Sequence, residues 1–227
     1  MYNPAFFANS QNWGNIPNKT VPWKGNYSQG GQKSEMKFNN FQFNFGGGIF
    51  GSGSDQVGQF NINGSCAPNG EVNFKKQYVG KHTVDYKGKF NGTAIDGNWS
   101  VSGLTGPFHI ELETVEVWSG YYEQGGQKTN MSLNLNVDNN GVYGIGSDQV
   151  GQFVIRGQVA GGQVQFVKNY TGKHSVNYYG TITTQGPGRV IQGWWSLQSA
   201  YGKFELRSSA VPKQSVGMPG MPGMPGF

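Results

Sequence analysis

The chain has 227 residues, of which 38 are glycine, 14% are aromatic and only 13% are charged, with a formal net charge of +5. That charged share is about half of what a soluble protein usually carries, but the aromatics are too many for a disordered chain. Glycine keeps no collagen period, no apolar run approaches the ~18 residues of a membrane helix, and the single cysteine, Cys66, excludes a disulfide framework or a multi-cysteine zinc site.

In chain order, residues 1–22 come first, with no basic start followed by an apolar core. They do not read as a signal peptide, and a cytoplasmic location is expected. Phe6, Phe7 and Trp13 stand there among Asn and Pro. A floppy linker rarely carries such rings, so this extension is assigned to docking on a partner or packing on the body.

From Trp23 onward the chain is duplicated. Trp23 to Lys33 returns as Trp118 to Lys128, and Met36 answers Met131. Gly53-Ser-Asp-Gln-Val-Gly-Gln-Phe60 is identical to the segment Gly146 to Phe153. Gly97-Asn-Trp99-Ser100 answers Gly193-Trp-Trp195-Ser196. The copies span residues 23–112 and 118–207, with 113–117 read as a linker. A period of about 90 residues suits a small domain rather than a solenoid unit.

Each copy reads as strands. In the second, Met131, Leu133, Leu135 and Val137 alternate with polar residues, as do Phe153 and Ile155, and Phe204 and Leu206. Period two marks half-buried antiparallel strands. Glycine- and asparagine-rich turns separate about eight strands per copy, near 118–123, 128–138, 141–146, 151–158, 162–170, 173–184, 189–198 and 201–207. The predicted fold is all-β: two tandem antiparallel up-and-down meanders, closed into barrels that leave no exposed edges. Between Val72 and Gly88, ten of seventeen positions match the second copy, and nine of those ten are even-numbered. One face of each strand is therefore fixed and is expected to point inward. With Val79-Gly80-Lys81 as the loop, Lys76 pairs with Val84 and Phe74 with Tyr86.

The segments Trp23-x-Gly25-x-Tyr27 leading to Met36, and Trp118-x-Gly120-x-Tyr122 leading to Met131, resemble the first hairpin of avidins. With the eight-stranded meander they give each copy a likeness to the calycins: lipocalins, fatty-acid-binding proteins and avidins. That resemblance implies a barrel fold, and in that group small ligands sit inside the barrel.

The candidate ligand site is Lys76, Tyr78, His82 and Tyr86, with its twin Lys168, Tyr170, His174 and Tyr178. Tyr and His offer hydrogen bonds and stacking faces, and Lys offers a cation for an anionic or hydroxyl-rich ligand. The plainer reading buries the tyrosines and lets each lysine reach out through the mouth. Asp55 and Asp148 sit in Gly-Ser-Asp-Gln turns, where aspartate bonds its own backbone. Cys66 reads as an exposed bystander thiol. Phe41, Phe43 and Phe45 share one parity, which favours core packing over a base-stacking surface.

The tail, 208–227, ends in Met-Pro-Gly triplets with Met218, Met221 and Met224 before Phe227. Its spacing suits polyproline II and a partner groove. Signatures of hydrolases, metalloproteases and P-loops are absent, so no enzyme activity, catalytic residue, metal or cofactor is expected. Scattered lysines make no nucleic-acid stripe but permit contact with an acidic filament or assembly. The expected function is a non-enzymatic tandem scaffold that docks protein partners. The alternative is a binder of a small ligand or carbohydrate, with one pocket per barrel.

Overall fold

The computed structural model describes residues 22–139 and 141–209, together with the backbone of the short strand Gln214–Ser215. Phe6, Phe7, Trp13, Met218, Met221, Met224 and Phe227 lie outside the described residues. The first barrel runs β1 (Trp23–Gln29), β2 (Gln32–Phe43), β3 (Gly48–Asp55), β4 (Gly58–Cys66), β5 (Glu71–Tyr78), β6 (Thr83–Phe90), β7 (Ala94–Val101) and β8 (Leu104–Leu112). Each strand pairs antiparallel with the next, and β8 returns to β1.

The second barrel repeats this with β9 (Thr114–Gln124), β10 (Gln127–Val137), β11 (Gly141–Asp148), β12 (Gly151–Ala160), β13 (Gln163–Tyr170), β14 (Ser175–Gln185), β15 (Gly188–Leu197) and β16 (Ala200–Ser208). Here β9 pairs with both β10 and β16, and β17 (Gln214–Ser215) adds to the start of β9. The stretch 113–117, expected to be a linker, is mostly strand. Leu112 ends β8 and Thr114 opens β9, so Glu113 alone separates the barrels. The repeat comparison started copy two at its first shared residue, Trp118, and missed the unmatched start of β9.

The period-two pattern forms these strands because it gives each one a single apolar face. Along β5, Val72, Phe74, Lys76 and Tyr78 are buried while their neighbours are exposed. Phe74 lies opposite Tyr86 and Lys76 opposite Val84. Gly88 faces Gly97, and Gly180 faces Gly193, across two neighbouring strands. A Cβ at Gly97 would run into the Lys87 carbonyl and the Gly88 backbone. These bare crossings let the sheet curve tightly at equal points in both barrels.

Hairpin connections alternate between the two ends of a barrel. The β1–β2, β3–β4, β5–β6 and β7–β8 turns therefore gather at one end, here the mouth. The β2–β3, β4–β5 and β6–β7 connections gather at the other, the closed end. The first barrel's closed end rests on the flank of the second. Tyr143 of β11 is 1% exposed and packs into the first barrel's core. Its ring centroid lies 5.3 Å from Trp23 and 5.5 Å from Phe43, and its hydroxyl accepts the Phe43 N–H at 3.2 Å. Phe45 belongs to this contact, 5.3 Å from Tyr179 of β14. Among the described residues no helix is long and apolar enough to cross a membrane.

Candidate functional site: a basin above a caged lysine

The interiors are filled by side chains, and a lysine stands in each. Lys76 and Lys168 are both 0% exposed. The Lys76 ammonium lies 4.2 Å from the centre of the Phe60 ring, 4.8 Å from Tyr78, 4.9 Å from Tyr27 and 5.7 Å from Tyr86. Lys168 stands 4.2, 4.6, 4.9 and 5.9 Å from Phe153, Tyr170, Tyr122 and Tyr178. Four ring faces with negative quadrupoles thus surround each cation.

A buried ammonium also needs an anion. Asp55, at the end of β3, supplies it: one carboxylate oxygen accepts from Lys76 Nζ and, at 2.7 Å, from the Tyr78 hydroxyl. Its other oxygen accepts the Val57 N–H at 2.8 Å, which fixes the β3–β4 turn. Asp148 does the same with Lys168, Tyr170 (2.6 Å) and Val150 (2.8 Å). The turn role expected for the two aspartates and the polar role expected for the lysines are parts of one ion pair.

Burial pulls Lys76 below its ordinary value, against the hydrogen bond and charge of Asp55. Burial likewise pulls Lys168 down, to about 8, against Asp148. Burial pushes Asp148 the other way, but bonds from Lys168 and Tyr170, the lysine charge and the Val150 N–H outweigh it, and its carboxyl ends below its usual range. The two directions are compatible. Desolvation falls hardest on the ring-enclosed ammonium, while the carboxylate collects three donors. Burial, then the bond to the aspartate, pushes Tyr78 and Tyr170 far up, so both remain neutral donors.

The open volume lies above this floor. A basin of about 470 Å³ occupies the mouth of the first barrel, walled by Tyr27, Tyr78, Tyr86 and Trp99 and rimmed by Gln29, His82 and Ser102. Trp99 Nε1 donates to the Ser28 carbonyl at 3.0 Å, which holds the indole in place. Tyr27 meets it edge-on at 6.4 Å, and His82 lies 5.2 Å from Tyr78. The second barrel repeats each contact: Trp195 Nε1 to the Glu123 carbonyl at 2.9 Å, Tyr122 to Trp195 at 6.1 Å, and Tyr170 to His174 at 5.1 Å.

The expected site residues therefore separate into levels. Lys76 and Lys168 neither line the basin nor reach the mouth; their ammoniums are sealed below it. Tyr78 and Tyr86 form its wall and floor, as Tyr170 and Tyr178 do at the matching positions. His82 and His174 stand exposed at the rim. Tyr27, quoted for the hairpin resemblance, and Trp99 and Gln29 were not assigned to the ligand site, although the repeated Trp23–Lys33 and Gly97–Ser100 segments carried them. Cys66 is buried rather than exposed, and burial pushes its thiol up, which makes it unreactive. Among the described residues no group of three or more His, Cys, Asp or Glu could hold a metal ion.

No family model matches the chain, and no curated protein matches it. Among solved structures it is similar to the Myxococcus xanthus hemagglutinin in complex with a3,a6-mannopentaose, at 12% identity over 82% of this chain and 99% of that one, with a TM-score of 0.23. It is similar also to the Burkholderia oklahomensis agglutinin, at 13% identity over 83% and 95%, with a TM-score of 0.23. Likeness at that level defines neither a shared fold nor a shared ligand.

Proposed function

We propose that the chain is a bivalent binder of neutral saccharides, with one site at the mouth of each barrel. One observation carries this reading: the duplication kept the mouth and let the closed end drift. Eight of the eleven residues lining the basin are identical in the second copy. Buried members such as Tyr86 and Tyr178 have a packing reason to stay the same. Exposed Gln29 and Gln124 have none, and His82 and His174, also exposed, each meet a single tyrosine ring.

The chemistry favours a neutral, hydroxyl-rich ligand. Lys76 and Asp55 cancel each other beneath the basin, so its floor offers no net charge to an ion. Fixed aromatic rings present flat apolar faces, and amide and imidazole groups stand at the rim. A sugar ring has the matching halves, a C–H face and a hydroxyl edge. No nucleophile faces the basin from the floor, which supports binding rather than catalysis. Two such sites on one chain would raise avidity for a repeating glycan.

The test is a titration of the full chain with neutral mono- and disaccharides of glucose, mannose, galactose and N-acetylglucosamine, followed by 15N NMR shifts. Two equivalents per chain are expected, with shifts at both mouths, and His82→Ala should leave one equivalent. Shifts mapping away from both mouths, or none with any sugar, would overturn the reading. A scaffold that docks protein partners on an acidic assembly is the second reading, favoured by the filled interiors. It predicts that deleting residues 1–22 or 208–227 removes pull-down partners, while changes at the basins do not.

A further inference from the structure

Three of the four mouth turns are the same in both barrels: Gln29 to Lys33, Gly53 to Phe60, and Gly80 to His82, each with its twin. The fourth differs. Val101-Ser-Gly-Leu104 in the first barrel becomes Leu197-Gln-Ser-Ala200 in the second. All three basin positions that changed, Val101, Ser102 and Leu104, fall in this turn.

The outer face of the same hairpin also changed. Trp194 is 51% exposed and Tyr201 73%, with their rings 6.4 Å apart. Lys203 stands opposite Trp194 with its ammonium 5.6 Å from the indole. The first barrel has Asn98, Thr105 and Pro107 at these places. Trp195, next along β15, points inward and is the counterpart of the basin wall Trp99. One hairpin thus offers an inner indole to the basin and an outer pair of rings to solvent. Between them, the rim is redistributed: Leu104 of the first barrel becomes the small Ala200, while Val101 and Ser102 become the larger Leu197 and Gln198.

Resting on the saccharide reading above, we infer that the two sites are unequal: the second takes an extended glycan chain, which runs from its mouth across the β15–β16 hairpin and stacks on Trp194 and Tyr201. The first site, with Asn98, Thr105 and Pro107 in place of the outer rings and the lysine, takes only a short unit. Two exposed rings joined to a basin suit a linear neutral polymer, whose successive sugars present successive C–H faces. Lys203 beside the indole supplies a hydrogen-bond donor at the edge of that path.

The experiment compares a disaccharide with its linear hexamer (cellobiose with cellohexaose, and the mannose and N-acetylglucosamine equivalents), titrated into the full chain by calorimetry and NMR. The hexamer should bind the second barrel at least tenfold tighter than the first, while the disaccharide binds both within about threefold. Trp194→Ala with Tyr201→Ala should remove the hexamer preference and leave disaccharide binding unchanged. Both side chains are surface groups, and disaccharide binding at the second mouth reports that the altered barrel is folded. Equal hexamer affinities, or a preference surviving the double change, would overturn the inference and leave the saccharide reading standing. Hexamer binding at Trp194 that His174→Ala does not weaken would also overturn it, because patch and basin would then be separate. Failure of every disaccharide and hexamer would overturn both.

Discussion

The mouths and the closed ends of the two barrels have had opposite histories within one chain. At the mouths the ion pair, the ring cage and three turns coincide, and matching distances agree within a few tenths of an ångström; the Phe74–Tyr86 stack at 4.8 Å and the Phe166–Tyr178 stack at 4.7 Å are one pair of many. At the closed ends the Phe41, Phe43 and Phe90 of the first barrel become Leu135, Val137 and Ile182. Each closed end holds a tryptophan, but each is covered differently. Trp23 is covered by Tyr143 from the neighbouring barrel. Trp118 lies under the second barrel's own Arg189, 5.4 Å from its ring and paired with Glu116. A core needs a lid of the right volume, and aromatic or guanidinium planes both serve. The mouth has no such latitude, since a buried charge accepts few alternative partners.

The largest effects should come from the part that is alike. Lys76→Met leaves Asp55 with a buried charge and no cation, and should cost about 3–5 kcal/mol. Lys168→Met should cost the same within about 1 kcal/mol. Adding Asp55→Asn to Lys76→Met should recover most of the loss, because a neutral floor has no charge to compensate. Urea unfolding measures all three. Unequal costs in the two barrels would break the equivalence of the mouths.

The closed ends should respond unequally. Tyr143→Ala removes a buried ring from the first barrel's core and should cost about 3–5 kcal/mol. Its counterpart on the first barrel, Phe50, is 39% exposed, and Phe50→Ala should cost under about 1 kcal/mol. Tyr143→Phe, which loses only the bond from the Phe43 N–H, should cost about 1 kcal/mol. A Phe50→Ala cost matching that of Tyr143→Ala would show that the two flanks are used alike.

Much of this asymmetry was legible, and the rest was not, for a physical reason. Strand parity showed that Lys76 faces inward, and the β5–β6 register followed from the loop length. What parity cannot show is depth along the barrel axis. Lys76 and Tyr78 share one face, yet they fall at sealed floor and wall because a step of two residues climbs about 7 Å. The partner of the lysine was hidden for another reason. Asp55 lies two strands away from β5 in chain order, with β4 between, and only the curvature of the sheet sets it beside the ammonium. Tyr143 was beyond reach, since alternation along β11 marks it as an outward residue and says nothing of a second barrel covering it.

Titration should sharpen the comparison more gently. Asp148 has its folded carboxyl below its ordinary value of 3.8. Its ionised form therefore contributes stability that is present above about pH 4 and lost as the pH falls below that. Lys168 has the opposite sign for a cation: folding lowers its value from 10.5 to about 8, so its contribution improves as pH rises from 8 towards 10. Tyr170 and Tyr178 are raised above their ordinary value of 10.0, so their contribution is full below pH 10 and lost above it. Thermal unfolding against pH should show an acid limb below about 4, a slight rise from 8, and a fall only beyond 10. A loss of stability between pH 8 and 10 would contradict the enclosure of the lysine.

The smallest effect concerns the side chain that the second mouth carries at a turn position strained in both barrels. Gln198 adopts φ of 53°, as its counterpart Ser102 does at 48°, a conformation that costs a side-chain-bearing residue about 1–2 kcal/mol. It sits in the one mouth turn that differs between the barrels, at the second basin's rim. Glycine would adopt this φ without that cost. Gln198→Gly should therefore stabilise the second barrel by up to about 1 kcal/mol, after the chain entropy that glycine adds to the unfolded state. In the same variant, hexasaccharide affinity at the second site should fall while the first site is unchanged. A variant that gains stability and keeps its affinity would assign the strain at Gln198 to no ligand. A variant that loses stability would mean that the glutamine side chain holds the hairpin itself. Only a gain in stability paired with a loss of binding fits a rim built for the longer chain.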